Sequence, residues 1–256
     1  MSYPRVAGKH GRPAMVSPAE HAEYVRVTFN DGEPASVRKA MLLYQGTVLN
    51  RALARLPGQE KEGWISGDLW MADPGSGPVA VCGRFGKGAP AAGLVVEQLT
   101  ALGARKVISV GTAGALAPHL KPGDVVICDR AIRDEGLSYH YLPGSKYCGP
   151  SPALTGLLCA ELRADHQHFC TGTTWSTDAP YRETAHEVSL YRREQVLTVD
   201  MEAAGIFAVG QFRGIEVSAA FSITDVLRDD GRQRHAPGSR CNAAIDHLVD
   251  AAIRAL

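Results

Sequence analysis

The segment Val199-Asp200-Met201-Glu202-Ala203-Ala204-Gly205 sets two carboxylates on either side of a methionine, where an apolar strand hands over to a helix. An acid in a first helical turn can simply answer the helix dipole. Here the helix that follows is small and apolar almost throughout, which predicts burial. A buried carboxylate needs donors, and a pair of ligand hydroxyls would supply them. A further carboxylate closes Ser222-Ile223-Thr224-Asp225, after an apolar run. It reads either as a cap for the next element or, in combination with Glu202, as a proton donor. A free Asp has a pKa of ~3.9, so about one in a thousand carries a proton at pH 7. General acid work requires a rise of roughly two to three units, which burial or a neighbouring carboxylate can provide.

Two small-residue segments suit an anion. Gly83-Arg84-Phe85-Gly86-Lys87-Gly88 combines freed backbone N–H groups with two cations, and Gly111-Thr112-Ala113-Gly114 offers a hydroxyl and exposed amides. Each also fits a plain tight turn. Trp175, beside Ser176, follows a strand and is either a stacking platform for a planar ligand or a core anchor. His140, within Ser138-Tyr139-His140-Tyr141, reads as a loop residue rather than a metal ligand. The six cysteines (Cys82, Cys128, Cys148, Cys159, Cys170, Cys241) form no CxxC pair, so neither a metal site nor a disulfide frame is expected.

The elements that must hold these residues alternate. Strands are expected at 79–83, 106–111, 123–132, 168–175 and 215–225, and helices at 91–103, 151–165 and 201–214, with an amphipathic helix over the tail. Strand, glycine turn, helix, strand is a βαβ unit, which implies a largely parallel sheet with helices on both faces. Residues 1–39 carry little periodicity and read as an irregular N-terminal arm, leaving 40–256 as a single domain. Of the 256 residues 45% are hydrophobic and 21% charged, which excludes disorder and fibrous repeats. Lys plus Arg and Asp plus Glu are both 27, which argues against nucleic acid or an anionic membrane as the main partner. No apolar run approaches the ~18–20 residues of a membrane span, and the first residues lack a signal-like apolar stretch. A cytoplasmic protein is expected.

The segments GKGAPAAGLVVEQL, VGTAGALAPHLKPGDVV and VDMEAAGIFAV, followed by SITD, together resemble the nucleoside phosphorylase superfamily of hexameric purine nucleoside phosphorylases, uridine phosphorylases and methylthioadenosine nucleosidases. The resemblance covers roughly residues 79–256 and is loose over 40–78. It implies a three-layer α/β/α fold with a central mixed, largely parallel sheet, and a homo-oligomer, a dimer or a trimer of dimers. It implies no cofactor and no metal, with inorganic phosphate as co-substrate. By the same resemblance Met201 and Glu202, with Asp200, hold the ribose. Asp225 assists departure of the base, Trp175 and Ser176 lie against it, and Gly46, Gly111 and Thr112 face phosphate; Arg84 and Lys87 are added to that end as this chain's own cations and not as part of the resemblance. Purine is the expected base class, because Thr184 stands where uridine phosphorylases are expected to carry a glutamine.

The chain departs from that pattern on the phosphate side. Ser109 replaces an arginine before the Gly-Thr turn, and Gly46 to Arg51 lacks the Asp-Pro of the family loop. Arg84, Lys87 and Arg51 are candidate replacements. Phosphorolysis to free base and ribose 1-phosphate is the expected reaction. The alternatives are a phosphate-independent nucleosidase, for which Gln45 would be a poor water-activating base, and a nucleoside-binding protein without catalysis.

Overall fold

The computed structural model describes residues 6–28, 37–61, 64, 66–228, 231–234 and 238–256. Residues 1–5 and 29–36 of the expected N-terminal arm lie outside them. In chain order, a 3-10 turn (Lys9–Gly11) precedes helix α1 (Pro18–Thr28), strand β1 (Lys39–Leu43), α2 (Gly46–Leu53), β2 (Gly58–Glu60), β3 (Asp68–Ala72) and β4 (Val79–Gly83). The chain continues through α3 (Ala89–Ala101), β5 (Lys106–Ala115), β6 (Val125–Asp134), α4 (Ser138–Tyr141), β7 (Tyr147–Cys148), α5 (Pro152–Ala164) and β8 (Cys170–Thr177). It ends with α6 (Ala185–Arg193), β9 (Thr198–Asp200), α7 (Ala203–Arg213), β10 (Glu216–Arg228), β11 (Gly231–Arg234) and α8 (Ser239–Ala255).

One mixed sheet runs β11-β10-β6-β8-β9-β5-β1-β4-β3-β2, and β10 also pairs with β5. That extra pairing closes β5, β10, β6, β8 and β9 into a ring of strands. β1 lies parallel to both β4 and β5, whereas β3 joins β4 and β9 joins β5 antiparallel. Alternation along β1 shows why its sequence is apolar throughout: Ala40 and Leu42 enter the cluster with α3 and α7, while Met41 and Leu43 enter the cluster with α2, α5 and α8. Helices thus cover both faces, the three-layer arrangement. No helix among the described residues is long and apolar enough to cross a membrane.

Two differences from the sequence reading have clear causes. The arm contains a helix, because Ser17-Pro18-Ala19-Glu20 is a capping box: the Ser17 amide donates to Glu20 Oε2 (2.7 Å) and the Glu20 amide to Ser17 Oγ (3.1 Å). The strands expected at 106–111 and 215–225 are longer, reaching Ala115 and Arg228. They extend because each is the other's parallel partner, from Glu216 beside Lys106 to Val226 beside Ala115. Gly111, Thr112 and Asp225 therefore lie within paired strands, where backbone position is fixed more firmly than in a turn.

Candidate active site

A cavity of about 180 Å³ opens where the carboxyl-terminal parts of β5, β9 and β10 meet. Thr112, Ala113 and Gly114 of β5 line it, with Thr224 and Asp225 of β10. Val199 and Asp200 of β9 and the following Met201 and Glu202 form another wall. Tyr44 and Gln45, just after β1, and Lys87, just before α3, close one side; Pro180 and Glu183 of the β8–α6 loop close the other. Glu202 and Asp225, far apart in sequence, face the same space.

Asp200 explains how Glu202 is held. One of its carboxylate oxygens accepts the amides of Glu202 (2.9 Å) and Ala203 (2.7 Å), capping α7, and the other accepts the hydroxyls of Thr174 (3.1 Å) and Ser176 (2.6 Å). Four donors fill the acceptor capacity of a carboxylate. Asp200 lines the cavity, but with these donors in place its carboxylate serves to position its neighbour. Glu202 then turns inward and accepts the Gly88 amide at 2.7 Å. Gly88 has φ +91°, a backbone state open to glycine at little cost, so the glycine before α3 aims an N–H at this acid. Burial, and then the charge of Asp200, push the Glu202 carboxyl up to about 7, against the opposing pull of the Gly88 and Met201 amides and Lys87.

Asp225 reaches the cavity through an irregularity. The β10–β5 register shifts between Ile223 and Asp225, a bulge at Thr224. In a regular strand adjacent side chains point to opposite faces; the bulge lets both Thr224 and Asp225 line one space. The Thr224 hydroxyl donates to Asp225 Oδ1 (3.0 Å). Gly114 makes room, since a Cβ there would lie 3.2 Å from Asp225 Oδ2 and 2.8 Å from Leu227 Cδ1.

The end near β1 is less charged than the sequence implied. Thr112 Oγ1 accepts from Gln45 Nε2 (2.7 Å), and the Tyr44 hydroxyl pairs with Ser109 Oγ (2.7 Å), the residue standing where an arginine was expected. Loss of water, and then the charge of Glu202, hold the Tyr44 phenol protonated well beyond its ordinary range. Lys87 lines the cavity as expected. Arg84 does not: it is ion-paired with Asp68 and bonded to Asn50 on the outside. Arg51 likewise pairs with Asp246. Gly46 faces the Arg84 side chain, and the bare Cα of Gly111 makes room for the Tyr44 ring.

Trp175 and Ser176 are corrected as well. Trp175 is 1% exposed, with its indole N–H on Asp134 (2.8 Å) and its ring 4.8 Å from Tyr191. It anchors a third apolar cluster with Leu116, Val196 and Leu227, outside the cavity. Ser176 braces Asp200 and accepts the Ala204 amide (3.0 Å). The sequence reading passed over Tyr44, Pro180, Glu183 and Thr224 as site residues. A signal existed for the first, which follows the apolar run of β1; the others depend on a loop and a bulge that no spacing rule marks. Among the described residues no group of three or more His, Cys, Asp or Glu is arranged to hold a metal.

The profile of the phosphorylase superfamily matches residues 65–254. The chain is similar to a uridine phosphorylase of Haemophilus influenzae, 29% identical over 160 residues, which are 57% of this chain and 63% of that protein. It is also similar to a guanosine phosphorylase of Halorubrum lacusprofundi, 32% identical over 139 residues, 54% of this chain and 57% of that one. The chain thus spans about six tenths of the length of these curated relatives. Among solved structures it resembles the purine nucleoside phosphorylase of Toxoplasma gondii in complex with immucillin-H, with a TM-score of 0.78 and 22% identity, over 86% of this chain and 90% of that one.

Proposed function

This chain belongs to the phosphorylase superfamily, and on that premise we propose that it cleaves the N-glycosidic bond of a purine-type nucleoside with inorganic phosphate, giving free base and ribose 1-phosphate. The observation that carries the reading is that Glu202 and Asp225 line one cavity together with Thr112 and Lys87. Glu202, fixed by Gly88 and by the Asp200 cap, accepts the 2′- and 3′-hydroxyls of the ribose, and Met201 lies against the sugar. A phosphate oxygen forms the new bond to the anomeric carbon while the bond to the base breaks. Asp225 gives a proton to N7 of the departing base, so that it leaves neutral. Thr112 and Lys87 receive the phosphate. No cofactor enters the reaction. The protein acts as a cytoplasmic homo-oligomer on small molecules, not on nucleic acid or membrane.

A second reading rests on a specific observation: Arg84 and Arg51 are engaged on the surface, so Lys87 is the one cation among the described lining residues. Water would then attack in place of phosphate. Base release from a nucleoside panel, assayed with and without phosphate, decides between them. Release that requires phosphate supports phosphorolysis, and equal release without it supports hydrolysis. Tight nucleoside binding with no release marks a binding protein and removes both.

A further inference from the structure

The N-terminal arm is pinned to the domain at two places and leaves a space between them. At its 3-10 turn, His10 Nε2 donates to the Tyr139 carbonyl (3.1 Å), and the Lys9 ammonium donates to His140 Nδ1 of α4. At α1, His21 Nδ1 accepts from Gln98 Nε2 of α3 (3.2 Å). The stretch that joins the two, residues 12–17, is irregular. Pro13 and the following Pro18 fix φ there and bring no N–H. Beneath it lies a cavity of about 990 Å³, large enough for a small molecule, floored by α3, α4 and the end of α7. Among the described residues this cavity and the one that holds Glu202 and Asp225 share no lining residue.

Its walls are apolar and its charge is one-sided. Val6 and Val16 of the arm line it with Leu94 of α3 and Phe212 of α7, and all four remain exposed. The Tyr141 ring meets Phe212 edge-on, with centroids 5.4 Å apart. Glu97 is the sole acid among the described lining residues, and Arg213 already matches it through two bonds, Nε to Oε2 (2.6 Å) and Nη2 to Oε1 (3.0 Å). That leaves Lys9 and Arg12 with no acid among the described lining residues, and His10, His21 and His140 stand around them. The basic groups press on one another. Loss of water, and then the charges of Lys9 and His10, hold the His140 imidazole below its ordinary pKa. Exposed apolar walls and unbalanced positive charge in one cavity are both answered by an anion with an apolar body.

We propose that this second cavity is a binding site for an organic phosphate monoester with a flat apolar body. A monoester carries close to two negative charges at neutral pH, which matches Lys9 and Arg12 together. Lysine supplies a point charge and arginine a planar fork, two ways of holding phosphate oxygens. The body lies against Leu94 and Phe212 and takes their surface out of water. The site stands whether or not the chain cleaves nucleosides, since none of its residues takes part in that reaction.

Calorimetry of the full chain with 1-naphthyl phosphate tests it. One probe per chain is expected. 1-Naphthol, which lacks the charge, and inorganic phosphate, which lacks the body, should each fail to displace the probe at about ten times its concentration. Lys9→Ala combined with Arg12→Ala should weaken binding by about tenfold or more, the range of charged hydrogen bonds, with melting temperature unchanged. Phe212→Ala should weaken it by about threefold or more. Lys87→Ala and Glu202→Gln, both in the other cavity, should bind the probe as wild type does. Affinity that survives K9A/R12A, or that falls in K87A or E202Q instead, overturns the proposal by placing the probe elsewhere. Naphthol that binds as well as its phosphate overturns it too, because the cations would then have no part. Sedimentation velocity across a range of protein concentration addresses the remaining occupant of such a face, a second copy of the chain. Probe affinity should not depend on assembly; affinity that is lost as chains associate assigns the cavity to a subunit interface and overturns the ligand site.

Discussion

A carboxylate that accepts two ligand hydroxyls, the part proposed for Glu202, works best charged, yet Glu202 sits where charge is costly. Burial first, and the neighbouring Asp200 second, push its carboxyl up to about 7, so that it holds its proton into the neutral range. Hydroxyl donors favour the ionised form, so riboside binding should weaken as pH falls through about 7, and Glu202→Gln should bind ribosides weakly with a flat pH profile. Affinity for free base should change little in that variant; an equal loss for base and riboside would contradict the sugar contact. Stability carries the opposite sign. The folded state holds this proton more tightly than the unfolded chain, so folding loses free energy as pH rises from about 4.5 to about 7. E202Q removes that loss, and denaturant curves should show it gaining about 2–3 kcal/mol relative to wild type between pH 5 and pH 8. On the proposed reading Asp225 has a different duty, that of proton donor to the base. Asp225→Ala should cut turnover of purine nucleosides by two or more orders of magnitude with melting temperature nearly unchanged.

At the scale of elements, the bulge in β10 decides whether Asp225 is a site residue at all. Its carboxylate shares a crowded space with Leu227 and the bare Cα of Gly114. Gly114→Ala would set a methyl group 3.2 Å from Asp225 Oδ2. The expected result is a fall in kcat of about tenfold or more with at most about 1–3 kcal/mol lost in stability, and a normal kcat would show that the bulge tolerates displacement. The strands bearing Val81, Val107 and Phe221 could be read from their apolar runs, and the acids of the site from their place after such runs. Strand lengths could not, because β5 and β10 extend by pairing with each other, and such pairing leaves no local pattern. Trp175 shows the same limit. Its sequence neighbours allowed a stacking platform or a core anchor, and only Asp134, Tyr191 and Leu227, all distant in the chain, select the second. The helix at 18–28 was legible in principle from Ser17 and Glu20, but its neighbourhood lacked the apolar period that usually draws attention to a cap.

Over the whole molecule equal numbers of acids and bases, 27 each, hide an uneven distribution. Asp200, Glu202, Asp225 and Glu183 converge on one cavity, while Arg51, Arg55, Arg84, Arg240 and Arg254 pair with surface carboxylates. Exposed pairs of that kind contribute little to folding, and none of those arginines lines the cavity. On the proposed phosphorolysis the anion is left to Lys87, with Thr112 and Gln45 beside it in the cavity lining. A charged hydrogen bond contributes ~1.5–3 kcal/mol, so Lys87→Ala should raise the KM for phosphate by about tenfold or more and leave the KM for nucleoside close to wild type. Arg84→Ala and Arg51→Ala should each leave the phosphate KM within about twofold. The reverse pattern, with Arg84 essential and Lys87 dispensable, would mean that the surface pairs open when phosphate arrives. Base release by K87A that is as fast as wild type, with no phosphate present in either assay, would instead assign the attack to water.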